Sequence, residues 1–288
     1  MSEQKREEES ADEESALLVL EDGSWYEGRA AGASGSAVGE VVFNTSMSGY
    51  QEILTDPSYS GQLITLTMPH VGNYGVNRED MESASIRGAG LIVRGLTDHP
   101  SNYRSEQTLP GWLAEEGVVA IKDVDTRSVT RRVRDEGVMM GVIAHGATAA
   151  EVDAWLAHLE DQPDYGSEDF VSRVVCQEPR SVEITPAEEG DAVQGDPAAG
   201  TVEFGPPQQQ TEEDFRPHVV VVDYGVKFSI LRHLHRQGFR MTLLPPDVDA
   251  ETLASFKPDG VLLSNGPGDP ALLDDRLELV ERVTDSYP

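Results

Sequence analysis

An apolar run, Gly260–Ser264, leads straight into Asn265-Gly266-Pro267-Gly268-Asp269-Pro270 and then into an amphipathic stretch, Ala271–Thr284. Proline lacks the N–H that a ladder or helix interior needs, and glycine is the next poorest helix former. The run therefore reads as a buried strand, the Gly-Pro-Gly as a turn, and the remainder as a helix. Strand, turn and helix in that order is the repeating unit of an α/β sheet. In open sheets of this kind, ligands bind beyond the carboxyl ends of the strands. A turn there presents bare backbone N–H groups, which hold an anion or a developing oxyanion. The glycines also let a reacting group approach the backbone closely. Asp269 as an N-cap and Pro270 in the first helical turn give the same residues a purely structural use, so both readings stand. No Gly-Lys-Ser/Thr follows, which excludes a Walker-type phosphate loop.

The pattern extends upstream. His218–Val222 reads as a continuous apolar strand, Asp223-Tyr224-Gly225-Val226-Lys227 as the loop at its end, and Phe228–Gln237 as a helix closed by Gly238. Arg240–Leu244 is a strand, Ala250–Phe256 a short helix, and Gly260–Ser264 the third strand. In the last helix Leu272, Leu273, Leu277 and Val280 or Val283 are expected to face inward. The fold class is α/β, with residues 217–288 forming the first half of a doubly wound parallel sheet. Three strands are too few for such a sheet, so the expectation is a domain cut off in mid-fold at Asp285-Ser286-Tyr287-Pro288.

Residues 15–175 read as a separate mixed β/α domain. Ala16–Leu20 and Trp25–Arg29 flank a hairpin turn at Glu21-Asp22-Gly23. Further strands are expected over Val38–Asn44, Gln62–Met68, Gly88–Gly95, Val118–Lys122 and Val138–Ala144. Helices are expected over Leu109–Gly117, from Asp125 or Thr126 to Glu136 before Gly137, and from a Thr148/Glu151 capping box to about His158. Residues 176–216 carry Pro206-Pro207-Gln208-Gln209-Gln210 and no sustained apolar period. They read as an acidic linker, partly extended and partly disordered, with a short β-like piece at Ser181–Ile184. Residues 1–14 read as a disordered acidic tail.

Composition narrows the partners. The formal charge is −30, from 52 acidic and 22 basic side chains, of which four are lysines. A field of that sign repels nucleic acid and anionic membranes. Because the acid is spread along the chain, it fits a halophilic protein whose carboxylates are screened by dense cations, the alternative being an ordinary acidic cytosolic protein. No apolar run approaches a membrane span and no signal peptide is visible, so a soluble, cytoplasmic protein is expected. Cys176 is the one cysteine, so no intrachain disulfide is possible. Nothing near it in sequence lowers a thiol pKa, and it reads as a half-buried structural residue. The seven histidines lack metal-ligand spacing; His233 and His235 point in different directions on one helix, and no metal site is predicted. Arg127, Arg131 and Arg134, with Arg132 beside them, line one helix face. They are either a solvated face paired with Asp125, Asp135 and Glu136, or a dock for an acidic group.

The stretch from Phe43 to Gly61, rich in hydroxyls, amides and aromatics, is either an amino-acid-binding loop or an ordinary loop of Asx and Ser/Thr turns. Taken with its surroundings it is distinctive. Ser15-Ala16-Leu17-Leu18-Val19-Leu20-Glu21-Asp22-Gly23 is followed in order by Gly39-Glu40-Val41-Val42-Phe43-Asn44-Thr45-Ser46-Met47-Ser48-Gly49-Tyr50-Gln51-Glu52. Leu54-Thr55-Asp56-Pro57-Ser58-Tyr59, Asp123-Val124-Asp125-Thr126-Arg127 and Ser264–Pro270 come next. The series resembles the small-subunit family of glutamine-hydrolysing carbamoyl-phosphate synthases over about residues 15–288, most weakly across the linker.

The resemblance implies a family-specific N-terminal domain followed by a class I glutamine amidotransferase domain. Such a domain hydrolyses glutamine through a cysteine thioester, assisted by a histidine–glutamate pair. Ammonia passes to a large subunit that uses ATP, Mg and bicarbonate to make carbamoyl phosphate for arginine and pyrimidine synthesis. The small subunit itself needs no cofactor; its substrate is L-glutamine and its partner is the large subunit. Carried over by residue, Ser58, Gly266 and Gly268 match glutamine-binding positions, and the Gly266 N–H is the expected oxyanion-hole donor. The nucleophile elbow and the histidine–glutamate pair are expected beyond Pro288, so the 288 residues alone are expected to be inactive. The alternative is a short non-catalytic form that binds the large subunit or glutamine.

Overall fold

The computed structural model describes residues 14–186, 200–207 and 215–287. The chain divides into two units. The first is built from residues up to Thr55, Gly61–Asn77 and Ser85–Tyr165; the second from Asp56–Ser60, Arg78–Ala84 and Gly166 onward. Two short stretches of the N-terminal half thus belong with the C-terminal unit, which a linear division at residue 175 does not foresee. The tail expected over 1–14 falls, up to residue 13, outside the described residues.

In the first unit seven strands close into a barrel: β1 (Ser15–Leu20), β2 (Trp25–Gly32), β3 (Ser36–Asn44), β4 (Gln62–Leu66), β5 (Gly90–Val93), β6 (Val119–Lys122) and β7 (Met139–His145). Their order is β1-β2-β6-β5-β4-β3-β7, and closure leaves no edge strand exposed to another chain. β3, β4, β5 and β6 pair in parallel, which requires crossover connections. Helix α1 (Tyr50–Thr55) lies in the first crossover and α2 (Leu109–Glu115) in the last.

β1 is apolar from Ala16 to Leu20 because both its faces are covered there. Ala16, Leu18 and Leu20 join a cluster with Val129 and Val133 of α3 (Thr126–Glu136), while Leu17 and Val19 join one with Leu159 of α4 (Val152–Glu160). The expected caps form. The Asp125 carboxylate accepts from the Ser128 N–H at 3.1 Å, and the Thr148/Glu151 capping box is present, opening a 3-10 turn that precedes α4.

The second unit holds a mixed sheet in the order β12-β10-β11-β8-β9. Its strands are β8 (Arg180–Pro186), β9 (Gly200–Gly205), β10 (His218–Val222), β11 (Arg240–Leu244) and β12 (Gly260–Leu263). β10 runs parallel to both β11 and β12, as expected. Helix α5 (Phe228–Arg236) covers one face through Leu231, against Val219 and Val221. α6 (Ala250–Ser255) and α7 (Leu277–Ser286) cover the other through Leu253, Leu279 and Val283, against Val220 and Val222. Helices on both faces make this a doubly wound arrangement.

Two differences from the sequence reading have physical causes. The segment expected as a linker supplies β8 and β9, an antiparallel hairpin that continues the sheet beyond β11. Val182, Ile184, Val202 and Phe204 alternate toward the same cluster as Leu231. The period is split between two pieces separated by residues 187–199, so no sustained pattern was visible; residues 187–199 and 208–214 lie outside the described ones. Secondly, the last helix is not continuous from Ala271. A 3-10 stretch, Pro270–Arg276, breaks at Leu273 before α7 begins. Three residues per turn shift the phase, so Leu272 is 43% exposed while Leu273 packs inward. The Leu277 side chain lies outside the described residues.

Arg232 of α5 is 4% exposed and donates from Nε to the Gly200 carbonyl at 2.8 Å and from Nη2 to the Met81 carbonyl at 3.0 Å. One buried cation thereby ties together α5, β9 and the inserted 78–84 stretch. Among the described residues, no helix is long and apolar enough to cross a membrane.

Candidate functional site

At the carboxyl ends of β10 and β12 two loops are locked by short-range polar contacts. The Ser264 N–H donates to the Val222 carbonyl at 3.1 Å. The Ser264 hydroxyl accepts from the Tyr224 N–H at 2.9 Å and donates to the Asn265 carbonyl at 2.8 Å. Asp223, 4% exposed, accepts from the N–H groups of Gly225 and Val226, both at 3.0 Å, and from that of Cys176 at 2.7 Å. A buried carboxylate is tolerable here because three backbone donors satisfy it.

The glycines are needed where backbone meets backbone. A Cβ on Gly266 would sit 2.2 Å from the Tyr224 carbonyl oxygen. A Cβ on Gly268 would meet only ordinary contacts, the Glu168 carbonyl oxygen and the Phe170 ring at 3.9 Å, but its φ of +78° is one that residues other than glycine rarely adopt. Gly266 is exposed, and among the described residues no hydrogen bond takes up its N–H. An unoccupied donor at a strand's carboxyl end is what an oxyanion would require.

Ser58 reaches the same corner. It lies in a 3-10 turn, Pro57–Tyr59, whose cap is Asp56: the Asp56 carboxylate accepts from the Ser58 N–H at 2.9 Å. The other Asp56 oxygen is 3.3 Å from Lys227 Nζ. Asn265 closes the arrangement, donating from Nδ2 to Ser58 Oγ at 3.0 Å and to the Gly225 carbonyl at 3.2 Å. Ser58 is therefore held beside the residue preceding Gly266, and Gly268 follows in the same turn. Asn265, Asp56 and Lys227 were not singled out from the sequence. The only signal for Asn265 was its adjacency to Gly266; nothing in sequence links Asp56 to Lys227.

The other candidates settle into structural uses. Tyr50 is fully buried in the first unit, stacked on Tyr74 at 4.1 Å, with its hydroxyl donating to the Gly75 carbonyl at 2.6 Å. Gln51 pairs with the backbone of Asn77, which donates its N–H to Oε1 at 3.0 Å. These side chains of the 43–61 segment are spent on packing. Burial, reinforced by the Asp223 charge, pushes the Cys176 thiol up to about 12, so it stays protonated at neutral pH and is a poor nucleophile. His218 is 1% exposed between the Thr242 hydroxyl at 2.8 Å and the Phe256 carbonyl at 3.1 Å, and burial lowers its pKa. On α3, Arg132 pairs with Asp22 at 3.2 Å and Arg134 with Asp135 at 2.9 Å, whereas Arg127 and Arg131 face solvent. Among the described residues, no group of three or more His, Cys, Asp or Glu is gathered as a metal ion requires.

Comparison with known proteins places these features in a family. Residues 18–143 match the family described as carbamoyl-phosphate synthase small chain, CPSase domain, and residues 220–288 match glutamine amidotransferase class-I. The carbamoyl phosphate synthase small chain of Salmonella typhimurium is 43% identical over 272 residues, covering 94% of this chain and 68% of the relative. That of Pectobacterium atrosepticum is 47% identical over 260 residues, covering 90% and 64%. That of Escherichia coli K12 is 44% identical over 274 residues, covering 94% and 68%. The chain thus spans roughly two thirds of the length of these relatives.

Proposed function

Because the chain belongs to the carbamoyl-phosphate synthase small-chain family, we propose that it serves as the glutamine-hydrolysing subunit of such a synthase. L-Glutamine is the substrate and the large subunit the partner. A thiolate attacks the side-chain amide carbon of glutamine, and the carbonyl oxygen becomes an oxyanion. As the C–N bond breaks, the amide nitrogen takes up the proton given up by the thiol and leaves as ammonia, and water hydrolyses the remaining thioester to glutamate and free thiol. The Gly266 N–H stabilises the oxyanion, and Ser58 and Gly268 hold the amino acid. Cys176 is not the attacking thiol: it is protonated and its own N–H is bound to Asp223. The reading therefore assigns the nucleophile to a residue outside these 288. The ammonia goes to the large subunit, where ATP, Mg and bicarbonate complete carbamoyl phosphate synthesis. The product feeds arginine and pyrimidine synthesis in the cytoplasm of a halophilic cell.

The observation that carries the reading is the convergence of Ser58 on the Asn265–Gly268 turn, through a hydrogen bond spanning 207 residues of sequence. A contact so distant in sequence, beside an unengaged backbone donor, is the arrangement of a binding corner rather than of a simple helix start. The test is Ser58→Ala in the complete small chain assembled with its large subunit. Glutamine-dependent carbamoyl phosphate formation is expected to fall about tenfold, the loss of one substrate hydrogen bond, while ammonia-dependent formation persists. Equal loss of both would refute the glutamine contact.

A further inference from the structure

We infer that Asn265 is a positioning residue that fixes the Ser58 hydroxyl as a hydrogen-bond donor toward the substrate. The inference rests on the glutamine reading of this corner. The carboxamide of Asn265 uses both N–H bonds, one to Ser58 Oγ at 3.0 Å and one to the Gly225 carbonyl at 3.2 Å. Turning the amide over would set Oδ1 against the Gly225 oxygen, acceptor against acceptor, so its orientation is determined. Ser58 Oγ thus accepts a hydrogen bond, and its own hydrogen must point elsewhere. Among the described residues it has no internal acceptor. The hydroxyl is available to donate outward.

The orphaned atom of Asn265 supports a role beyond packing. Its Oδ1 is buried and without a hydrogen-bond partner. Such an acceptor destabilises a fold, and an apolar side chain of similar shape would remove the penalty. The residue is explained by its two donors. The Ser58 backbone is held from the other side, its N–H on Asp56 and Asp56 on Lys227, so Asn265 meets an oxygen whose residue is fixed in place. A serine so arranged discriminates between groups of an amino acid. Its hydrogen meets an acceptor, a carboxylate or carbonyl oxygen, whereas the ammonium, which can only donate, cannot take up that hydrogen.

The experiment compares Asn265→Asp, Ser58→Ala and the double variant in the complete small chain with its large subunit, following initial rate against glutamine. An aspartate carboxylate has the same shape but accepts only, so the Ser58 hydrogen turns toward it and away from the substrate. KM for glutamine is expected to rise about tenfold in Asn265→Asp with kcat nearly unchanged, and most of that rise disappears when Ser58 is already alanine, the remainder being the lost Gly225 contact. An unchanged KM, or a rise just as large in the Ser58→Ala background, overturns the inference. Should Asn265→Asp lower the melting temperature, Asn265→Ser is read in the same cycle with the same criteria. If Ser58→Ala alone leaves KM untouched, the glutamine reading of the corner fails, and the inference falls with it.

Discussion

Replacing Gly266 by alanine tests the oxyanion donor with a clash whose size the structure supplies. The new Cβ would lie 2.2 Å from the Tyr224 carbonyl oxygen, and 3.0 Å is the floor for real contacts, so the two must part by at least about 0.8 Å. The obstacle cannot step aside easily. Tyr224 is tied to Ser264 at 2.9 Å, and the neighbouring Gly225 is held by Asn265. The 266 peptide therefore moves, and its N–H moves with it. A donor shifted from about 2.9 Å to about 3.7 Å no longer forms a hydrogen bond. Losing one oxyanion-hole donor costs about a hundredfold to a thousandfold in kcat. The assay is glutamine-dependent turnover by the complete small chain with its large subunit, with KM followed separately. Gly268→Ala is the contrast: it meets no clash, only the strain of a positive φ, of about 1–2 kcal/mol, and shows in stability more than in kcat. A Gly266→Ala enzyme that stays folded and keeps kcat within about threefold of the parent would refute the reasoning, since the clash and the donor's role cannot then both be right.

Other outcomes follow from the same contacts. Arg232→Met strands the Gly200 and Met81 carbonyls and is expected to destabilise the second unit by about 3 kcal/mol or more in urea unfolding; a change under about 1 kcal/mol counts against the buried-clamp account. His218 is held neutral in the folded state, by burial first and the Arg240 charge second. The unfolded chain takes up a proton near pH 6.5 and the folded one only at lower pH, so stability falls as pH drops below about 6.5. His218→Gln is expected to flatten that slope, and an unaltered slope would show that another group causes it. The net charge of −30 predicts a melting temperature that climbs from dilute to molar potassium chloride as repulsion is screened; a flat or falling midpoint would remove the halophilic reading.

The alternating elements were readable because each carries its own local signal. β10 is a run of valines between a histidine and an aspartate, α3 has Asp125 before it and Gly137 after it, and the Gly266–Gly268 turn is marked by the proline between its glycines. What stayed hidden depends on partners remote in sequence. Barrel closure rests on β2 meeting β6 and β1 meeting β7, pairings that no local period encodes. The β8–β9 hairpin is masked by the thirteen residues between its strands, which interrupt its alternation. At the candidate site, the Gly-Pro-Gly turn stood out from its own residues, whereas Ser58 was singled out only through resemblance. Asn265 and the Asp56–Lys227 pair emerge only once the chain has folded back, because a polar residue in a loop looks alike in sequence whether it binds water or another loop.

The most direct test of the central claim is a glutamine titration followed through the backbone amide resonances of the complete small chain. The account expects the Gly266 and Gly268 amides to shift saturably along one binding curve, with Ser58→Ala weakening that curve and asparagine, one methylene shorter, failing to reproduce it. Saturation of other resonances while Gly266 and Gly268 stay unmoved would contradict the account and place the glutamine site elsewhere.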